Sequence, residues 1–228
     1  MNFLNKYKKF LIDPPGLEGQ WCNRYKTFEK AFKLLEENFQ EKTRTIVELG
    51  TTRSYVGGHL EGCLSSDDRF WKKGQCELWD WSAGCFTIIA AEYCNESKKE
   101  NEFYTVDLSK EHLRRSKKMT EDIYNKINYI ESSSESFLKT FDGNIDFLYI
   151  DTGNPDSHTR NLQLREAKVI VERQIISKKG IILIDDAYRP DAIKDSDYVN
   201  KSEYSVPYFL LKGFELVYSD YQTLLIKK

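Results

Sequence analysis

Apolar residues recur along the chain with two different spacings, which predict helices and strands in alternation. Between residues 22 and 40, large apolar side chains follow one another at steps of three and four, as on one face of an amphipathic helix. These residues are Tyr25, Phe28, Phe32, Leu35 and Phe39. Similar patterns predict helices at about 86–97, 109–126 and 157–177, and a short one entered through Pro207.

Short apolar runs rich in β-branched residues lie between these helical patterns and predict strands. They span residues 45–50, 102–108, 127–130, 145–151 and 180–185. Strands that alternate with helices indicate a parallel sheet with right-handed crossovers. Two further runs, 214–219 and 222–227, are separated by only two residues and predict an antiparallel hairpin. We therefore expect one α/β domain over residues 1–228, a doubly wound Rossmann-like sheet that is mostly parallel.

One segment, residues 54–84, follows the first strand without any apolar periodicity, although a doubly wound fold normally starts a helix there. It holds three of the four tryptophans, Trp71, Trp79 and Trp81. We interpret it as an insertion with two alternative roles: a loop that its tryptophans pack down, or a lid over the active site. As a lid, residues 56–80 would be mobile without ligand and protected with it.

The composition excludes several classes of protein. The 228 residues include 34 Lys and Arg against 36 Asp and Glu, a net charge of −2, so no broad positive field exists to hold nucleic acid or an anionic membrane. No apolar run approaches the roughly 20 residues that span a bilayer, and no signal-peptide core follows Met1. The five cysteines, odd in number and without short zinc-type pairs, are expected to be reduced thiols. We expect a cytoplasmic protein with a small-molecule partner; a homo-oligomer remains open.

Acidic and small polar residues follow each of the five predicted parallel strands. Open parallel sheets bind ligands at the carboxyl ends of their strands, so these residues are the candidates for chemistry. They are Glu48, Gly50 and Thr51 at the first strand, Asp107 at the second, Ser133 and Ser134 at the third, Asp151 at the fourth, and Asp185 and Asp186 at the fifth.

The turn after the first strand bears on which ligand binds. Residues 50–55 read GTTRSY, and only Gly50 matches the G-x-G-x-x-G pattern that a dinucleotide pyrophosphate needs. S-adenosylmethionine has no phosphate and needs a turn after the first strand and a carboxylate after the second. Glu48, Gly50 and Asp107 meet these needs. An NAD-dependent oxidoreductase or a non-catalytic nucleotide-binding module is the alternative.

Three motifs in this order resemble those of a known family. Residues 47–55, VELGTTRSY, look like the first motif of class I S-adenosylmethionine-dependent methyltransferases, with details that lean towards the catechol O-methyltransferase-like branch. Residues 103–107, FYTVD, are similar to the second motif, whose acid binds the ribose hydroxyls. Residues 130–138, IESSSESFL, are similar to the third, which meets the adenine. The resemblance covers about residues 44–227.

The resemblance implies a set of cofactor-binding residues, with two departures. The second glycine of the first motif is missing, and the insertion displaces the first helix, so residues 81–85 are expected to supply part of the cofactor turn. The implied residues are Glu48, Gly50, Thr51, Ser82, Gly84, Asp107, Ser133, Ser134 and Asp151.

Asp151, Asp185 and Asp186 follow two strands predicted to be neighbours, so their carboxylates should converge. Like charges this close repel unless a cation neutralises them, and oxygen ligands favour a hard ion such as Mg²⁺. Metal-dependent members of the resembled family place an Asp after strand 4 and an acidic pair or Asp-Asn after strand 5. Taken singly, each Asp could instead be the N-cap of the helix that follows its strand. A metal-free enzyme therefore stays open.

The predicted function is transfer of a methyl group from S-adenosylmethionine to a hydroxyl of a small polyhydroxylated molecule, with a divalent metal that binds the acceptor. Asp151 and His158 are the candidate catalytic residues. In the catechol enzymes a lysine follows the metal-binding Asp three positions later; that position is Asn154 here, and His158 is the nearest titratable candidate for the base.

Overall fold

The computed structural model describes residues 2–18, 23–40, 43–83, 85–154, 156–187 and 200–228. Seven strands form one mixed sheet in the order β3-β2-β1-β4-β5-β7-β6. Their bounds are β1 Arg44–Leu49, β2 Asn101–Asp107, β3 Ile127–Glu131, β4 Ile145–Ile150, β5 Ile176–Ile184, β6 Phe214–Ser219 and β7 Thr223–Lys227. The first five strands are parallel, and β7 runs antiparallel to both β5 and β6. This architecture confirms the predicted fold class.

Helices cover both faces of the sheet, so nearly every residue of the central strands β1 and β4 is buried rather than every second one. The helices are α1 Asn2–Lys6, α2 Lys8–Ile12, α3 Tyr25–Asn38, α4 Phe86–Glu96, α5 Lys110–Thr120, α6 Ser134–Thr140, α7 Ser157–Arg173 and α8 Ser205–Leu211. One apolar core lies between the sheet and α1–α5, and a second lies between the sheet and α6–α8. Within the described ranges, no helix is long and apolar enough to cross a membrane.

Several element boundaries differ from the sequence prediction. The helix predicted to reach residue 177 ends at Arg173, and β5 begins at Ile176 rather than at 180. Lys179 has a positive φ of 63°, and the β4–β5 register shifts here, so a bulge interrupts the apolar run. Helix α5 ends at Thr120 rather than 126. Helices α1, α2 and α6 were not predicted.

The insertion after β1 packs as an aromatic cluster against the N-terminal segment. Trp79 and Trp81 are 4% and 1% exposed, and their rings lie 5.8 and 5.3 Å from the ring of Tyr7. The segment contains three single 3₁₀ turns, Asp68–Phe70, Cys76–Leu78 and Trp81–Ala83. This packing favours the packed-loop interpretation, and its last turn leads to the start of α4.

Candidate active site

The turn after β1 lies directly against the end of β4. Gly50 has a φ of +86°, and a Cβ atom at this position would lie 2.5 Å from the carbonyl oxygen of Asp151. The Asp151 N–H donates to the Leu49 carbonyl at 2.8 Å. Only glycine combines this backbone conformation with so close an approach. The predicted cofactor turn and the fourth strand end therefore adjoin.

Glu48 lies beneath this turn and is buried in a network of hydroxyl groups. Its Oε2 accepts hydrogen bonds from Thr87 at 2.7 Å and from Thr105 at 2.6 Å. Burial, reinforced by the nearby charges of Asp151 and Asp107, raises the pKa of Glu48 to about 8 against the hydrogen bonds of the two threonines. Thr87, in the first turn of α4, also accepts from the Thr52 N–H at 3.1 Å. Helix α4, although displaced by the insertion, thus meets the turn that Glu48 supports.

Asp107 ends β2 beside the same turn and keeps part of its carboxylate exposed. Its oxygens accept from the N–H groups of Ser109 at 2.7 Å and Thr51 at 3.3 Å, and His112 lies 3.3 Å away. Burial acts to raise the pKa of Asp107, but the bonds from His112 and Ser109 outweigh it and hold the pKa below its usual value. Asp107 is therefore an ionised acceptor at the edge of the cleft, with its side chain 16% exposed.

The serines after β3 have partners within the fold. Ser133 caps α6 by accepting from the Ser136 N–H at 3.2 Å. Ser134 donates to Glu166 of α7, which also accepts from Thr152 at 3.0 Å. Burial raises the pKa of Glu166 to about 7. The structure thus joins the ends of β3 and β4 through Glu166, a residue that the sequence analysis did not single out.

Asp151, Asp185 and Asp186 converge as the sequence predicted, with one carboxylate oxygen of each within 4.8 Å of the others. We call these three residues the acid cluster. Lys201, which follows β5 in the chain, places its Nζ 2.8 Å from Asp151 Oδ1 and 2.8 Å from Asp186 Oδ2. Its side chain is 4% exposed. A buried ammonium group therefore bridges the ends of β4 and β5.

Arg24, just before α3, binds the third carboxylate of the acid cluster. Its Nε and Nη2 donate to the two oxygens of Asp185 at 2.9 and 2.8 Å, and both side chains are 1% exposed. The same guanidinium donates to the carbonyl of Ser82 at 3.2 Å, which ties the end of the insertion to the cluster. Gln222 Nε2 donates to Asp185 at 2.6 Å, and the Tyr221 hydroxyl donates to Asp186. Gly84, which was predicted with Ser82 to bind the cofactor, lies outside the described residues.

These partners change the charge balance that had suggested a metal. In the part of the chain that the structure describes, five of the six carboxylate oxygens accept from protein donors. Two cations there, Arg24 and Lys201, face the three carboxylates, which leaves a formal charge of −1. A divalent ion would compete with Lys201 for oxygens of Asp151 and Asp186, and the two cations would repel each other. As arranged, the donor set does not fit a resident Mg²⁺.

The cluster perturbs its own members unequally. Burial raises the pKa of Asp151 to about 7, despite the opposing charge of Lys201. For Asp186, Lys201 and Arg24 outweigh burial and hold the pKa well below its usual value. The two carboxylates raise the pKa of Lys201 although burial opposes them. The pKa values of Asp151 and Asp186 are thus displaced in opposite directions although both carboxylates face Lys201.

His158, the predicted base, lies exposed in the first turn of α7. Among the described residues it makes no hydrogen bond to Asp151. Asp156 caps this helix by accepting from the Thr159 N–H at 2.9 Å. The role of His158 stays a prediction.

Sequence reasoning missed the partners of the acid cluster, Arg24, Lys201, Tyr221 and Gln222. A weak signal existed for Arg24, because a positive charge at the start of a helix is unfavourable unless it is paired. Converging carboxylates also call for a cation of any kind, and the prediction considered only a metal.

Residues 81–187, which include α4, β2–β5 and the acid cluster, match the model of a family described as a methyltransferase domain. The chain is therefore an S-adenosylmethionine-dependent methyltransferase, and the matched part is a little under half of it. No curated protein matches it in sequence. The match confirms the wider resemblance seen in the sequence, and the catechol O-methyltransferase-like branch is a finer assignment that it does not reach.

Solved structures share the fold of this methyltransferase at low sequence identity. SMU.1697c from Streptococcus mutans, in complex with SAH, is 13% identical with a TM-score of 0.52, over 88% of this chain and 97% of that one. The N-methyltransferase NodS from Bradyrhizobium japonicum WM9, in complex with S-adenosyl-L-homocysteine, is 11% identical with a TM-score of 0.52, over 100% and 99%. An rRNA methylase from Streptococcus thermophilus is 11% identical with a TM-score of 0.51, over 88% and 96%. Since these neighbours include an N-methyltransferase and an rRNA methylase, the fold alone does not identify the acceptor.

Proposed function

We propose that this methyltransferase transfers a methyl group from S-adenosylmethionine to a hydroxyl oxygen of a small polyhydroxylated molecule. The observation that supports this most is the direct contact between the Gly50 turn and Asp151. A donor bound at the β1 and β2 ends would lie beside an acceptor bound at the acid cluster. Methyl transfer requires the two reacting groups to be held next to each other in line.

The donor side of the proposal rests on Asp107 and the turn beside it. An ionised carboxylate with accessible surface can accept hydrogen bonds from both hydroxyls of a ribose, and such charge-assisted bonds are about twice as strong as neutral ones. The complexes of SMU.1697c and NodS with the demethylated donor support a donor of the same kind here.

The acceptor side rests on the mixture of charges at the acid cluster. A molecule with several hydroxyls can donate to carboxylates and accept from the Lys201 ammonium at the same time. Asp151, with its pKa raised to about 7, suits removal of the hydroxyl proton as the oxygen attacks the methyl carbon. The net charge of −2 speaks against a nucleic acid as acceptor.

A metal-dependent reaction is a second candidate because the three carboxylates lie within reach of one ion. It requires Lys201 to withdraw from two of them. The donor set therefore favours the metal-free form of the reaction, with Asp151 and Lys201 at the acceptor.

Calorimetry with S-adenosylmethionine and with NADH tests the donor. We expect a dissociation constant of about 1 μM, or about −8 kcal/mol, for S-adenosylmethionine and no binding of NADH. Release of S-adenosylhomocysteine in the presence of catechols, sugars, polyketides, amines and an rRNA fragment then tests the acceptor. Binding of NADH alone would overturn the proposal, and turnover only with the amines or the RNA would overturn its acceptor.

A further inference from the structure

Lys201 is held in place by its backbone as well as by its charge. Its N–H donates to the Asp186 carbonyl at 3.2 Å, and the next residue, Ser202, donates through its hydroxyl to the Ala187 carbonyl at 3.2 Å. The chain beyond the described end of β5 therefore returns to the strand end at a defined place. The ammonium group is a fixed part of the acid cluster rather than the end of a mobile surface side chain.

The position of this ammonium group is the one that a bridging cation would take. It lies 2.8 Å from an oxygen of Asp151 and 2.8 Å from an oxygen of Asp186, which follow different strands. Within the described residues, its removal would leave one cation, Arg24, for the three carboxylates, and that guanidinium already donates to both oxygens of Asp185. An uncompensated buried charge strongly destabilises a fold, so this position needs a cation.

The ammonium group also has a donor left over. It carries three N–H bonds. The described residues provide it with two acceptors, Asp151 and Asp186, at the acid cluster where the proposed function places the acceptor molecule. A hydroxyl or alkoxide oxygen of that molecule fits the third N–H.

We infer that Lys201 takes the place of a divalent cation in this enzyme: it joins Asp151 to Asp186, excludes a metal, and directs one N–H at the acceptor oxygen. Exclusion of the metal follows from the geometry of the acid cluster alone. The contact with the acceptor deepens the proposed function and rests on it. Lys201 then binds and orients the acceptor oxygen and stabilises its developing negative charge.

Titration with Mn²⁺, followed by the electron paramagnetic resonance signal of the free ion, tests the exclusion without any acceptor or methyl donor. For the wild-type protein we expect no loss of free signal at about 1 mM Mn²⁺, because the ammonium occupies the ligands of a site that should otherwise take such an ion. Stoichiometric binding by the wild type would overturn the inference.

Lys201→Met removes the charge and keeps the length of the side chain. We expect this variant to bind Mn²⁺ at least about tenfold more tightly than the wild type. The matched control is Lys73→Met, which breaks the exposed ion pair with Asp122 and should leave Mn²⁺ binding unchanged. Equal Mn²⁺ binding by all three proteins would show that Lys201 does not guard the cluster.

Turnover with any candidate acceptor that releases S-adenosylhomocysteine tests whether Lys201 contacts the acceptor oxygen. Wild-type turnover should be unaffected by EDTA, and Lys201→Met should lose about 100-fold in kcat, a loss that Mn²⁺ partly restores. Lys201→Arg, which keeps the charge, should retain the exclusion of Mn²⁺. Full turnover by Lys201→Met in EDTA would refute the contact with the acceptor. If Lys201→Met does not fold, the wild type and Lys201→Arg still decide whether the metal is excluded.

Discussion

Acids follow the strands in two regions at the carboxyl edge of the sheet, the end of β2 and the ends of β4 and β5. The two regions have similar sequences, but their acids have different partners in the structure. At β2, the acid is Asp107, and its partners Ser109 and His112 come from the next few residues of the chain. At β4 and β5, the acid cluster takes its cations from Arg24 and Lys201, on segments far from the strand ends. Local N–H partners hold Asp107 as an ionised acceptor, whereas at β4 and β5 buried cations from other segments pair with the acids. The position of an acid after a strand therefore does not by itself predict which groups will pair with it.

The largest effect on stability should come from removing a cation of the acid cluster. Arg24→Met leaves the buried carboxylate of Asp185 without its cation, and we expect a loss of about 3–5 kcal/mol in the free energy of unfolding. The control Arg165→Met breaks a pair with Glu135 whose side chains are 52% and 25% exposed. It should cost no more than about 1 kcal/mol. Urea denaturation measures both, and equal losses would mean that burial of the Arg24 pair has no special weight.

Removal of the acid at the end of β2 should affect binding of the methyl donor. Asp107→Ala removes an accessible carboxylate, and we expect S-adenosylmethionine binding to weaken by about 1.5–3 kcal/mol as charge-assisted hydrogen bonds are lost. Asp142→Ala, at an exposed position before β4, should have no effect. Calorimetry compares the two, and donor binding that survives intact in Asp107→Ala would place the ribose elsewhere.

Gly50 joins the two regions, and its close approach to Asp151 can be separated from its backbone conformation. Gly213 has nearly the same φ, +88° against +86°, but nothing within 4 Å of an added Cβ. Alanine at Gly213 should cost about 1 kcal/mol from strain alone. Alanine at Gly50 should cost about 1–2 kcal/mol more, because the turn must move away from the Asp151 carbonyl. Thermal unfolding of both variants measures the difference. Equal losses in the free energy of unfolding would show that the Gly50 turn can move away from Asp151 without cost.

The last comparison concerns pH and Glu48, which lies beneath the Gly50 turn. Its pKa rises from 4.5 to about 8 on folding, so the neutral form stabilises the fold below about 4.5, and this contribution is lost as the pH rises through about 8. The free energy of unfolding should fall over that range by at most about 1.4 kcal/mol per pH unit. Glu48→Gln cannot ionise and should show a flatter profile in denaturation from pH 5 to 8. Parallel profiles would mean that Glu48 is not neutral in the fold.

The part of the site that sequence could predict is the part built from strand ends. Apolar runs locate parallel strands, parallel strands bring their carboxyl ends together, and the convergence of Asp151, Asp185 and Asp186 follows. Helix α6 escaped prediction because it has only seven residues, too few to show a period, although Ser133 is a typical N-cap. The start of β5 was hidden by the polar bulge at 177–179.

The partners of the acid cluster could not be predicted in the same way. Arg24 and Asp185 are 161 positions apart, and no local pattern relates them. Lys201 lies in a polar stretch that gives no periodic signal. The need for positive charge could be inferred from three converging carboxylates, but its source could not.

The reach of Arg24 also has a consequence for the order in which the molecule folds. Its hydrogen bonds close loops of 161 residues to Asp185 and 197 residues to Tyr221. Contacts of such high sequence separation lose the most chain entropy on closing and tend to form late. The sheet from β1 to β5 can be assembled on a ribosome while Tyr221 is still inside the exit tunnel, but the acid cluster gains its donors Tyr221 and Gln222 only afterwards. During synthesis, this enzyme should therefore pass through a stage with a folded core and an acid cluster that lacks two of its hydrogen-bond donors.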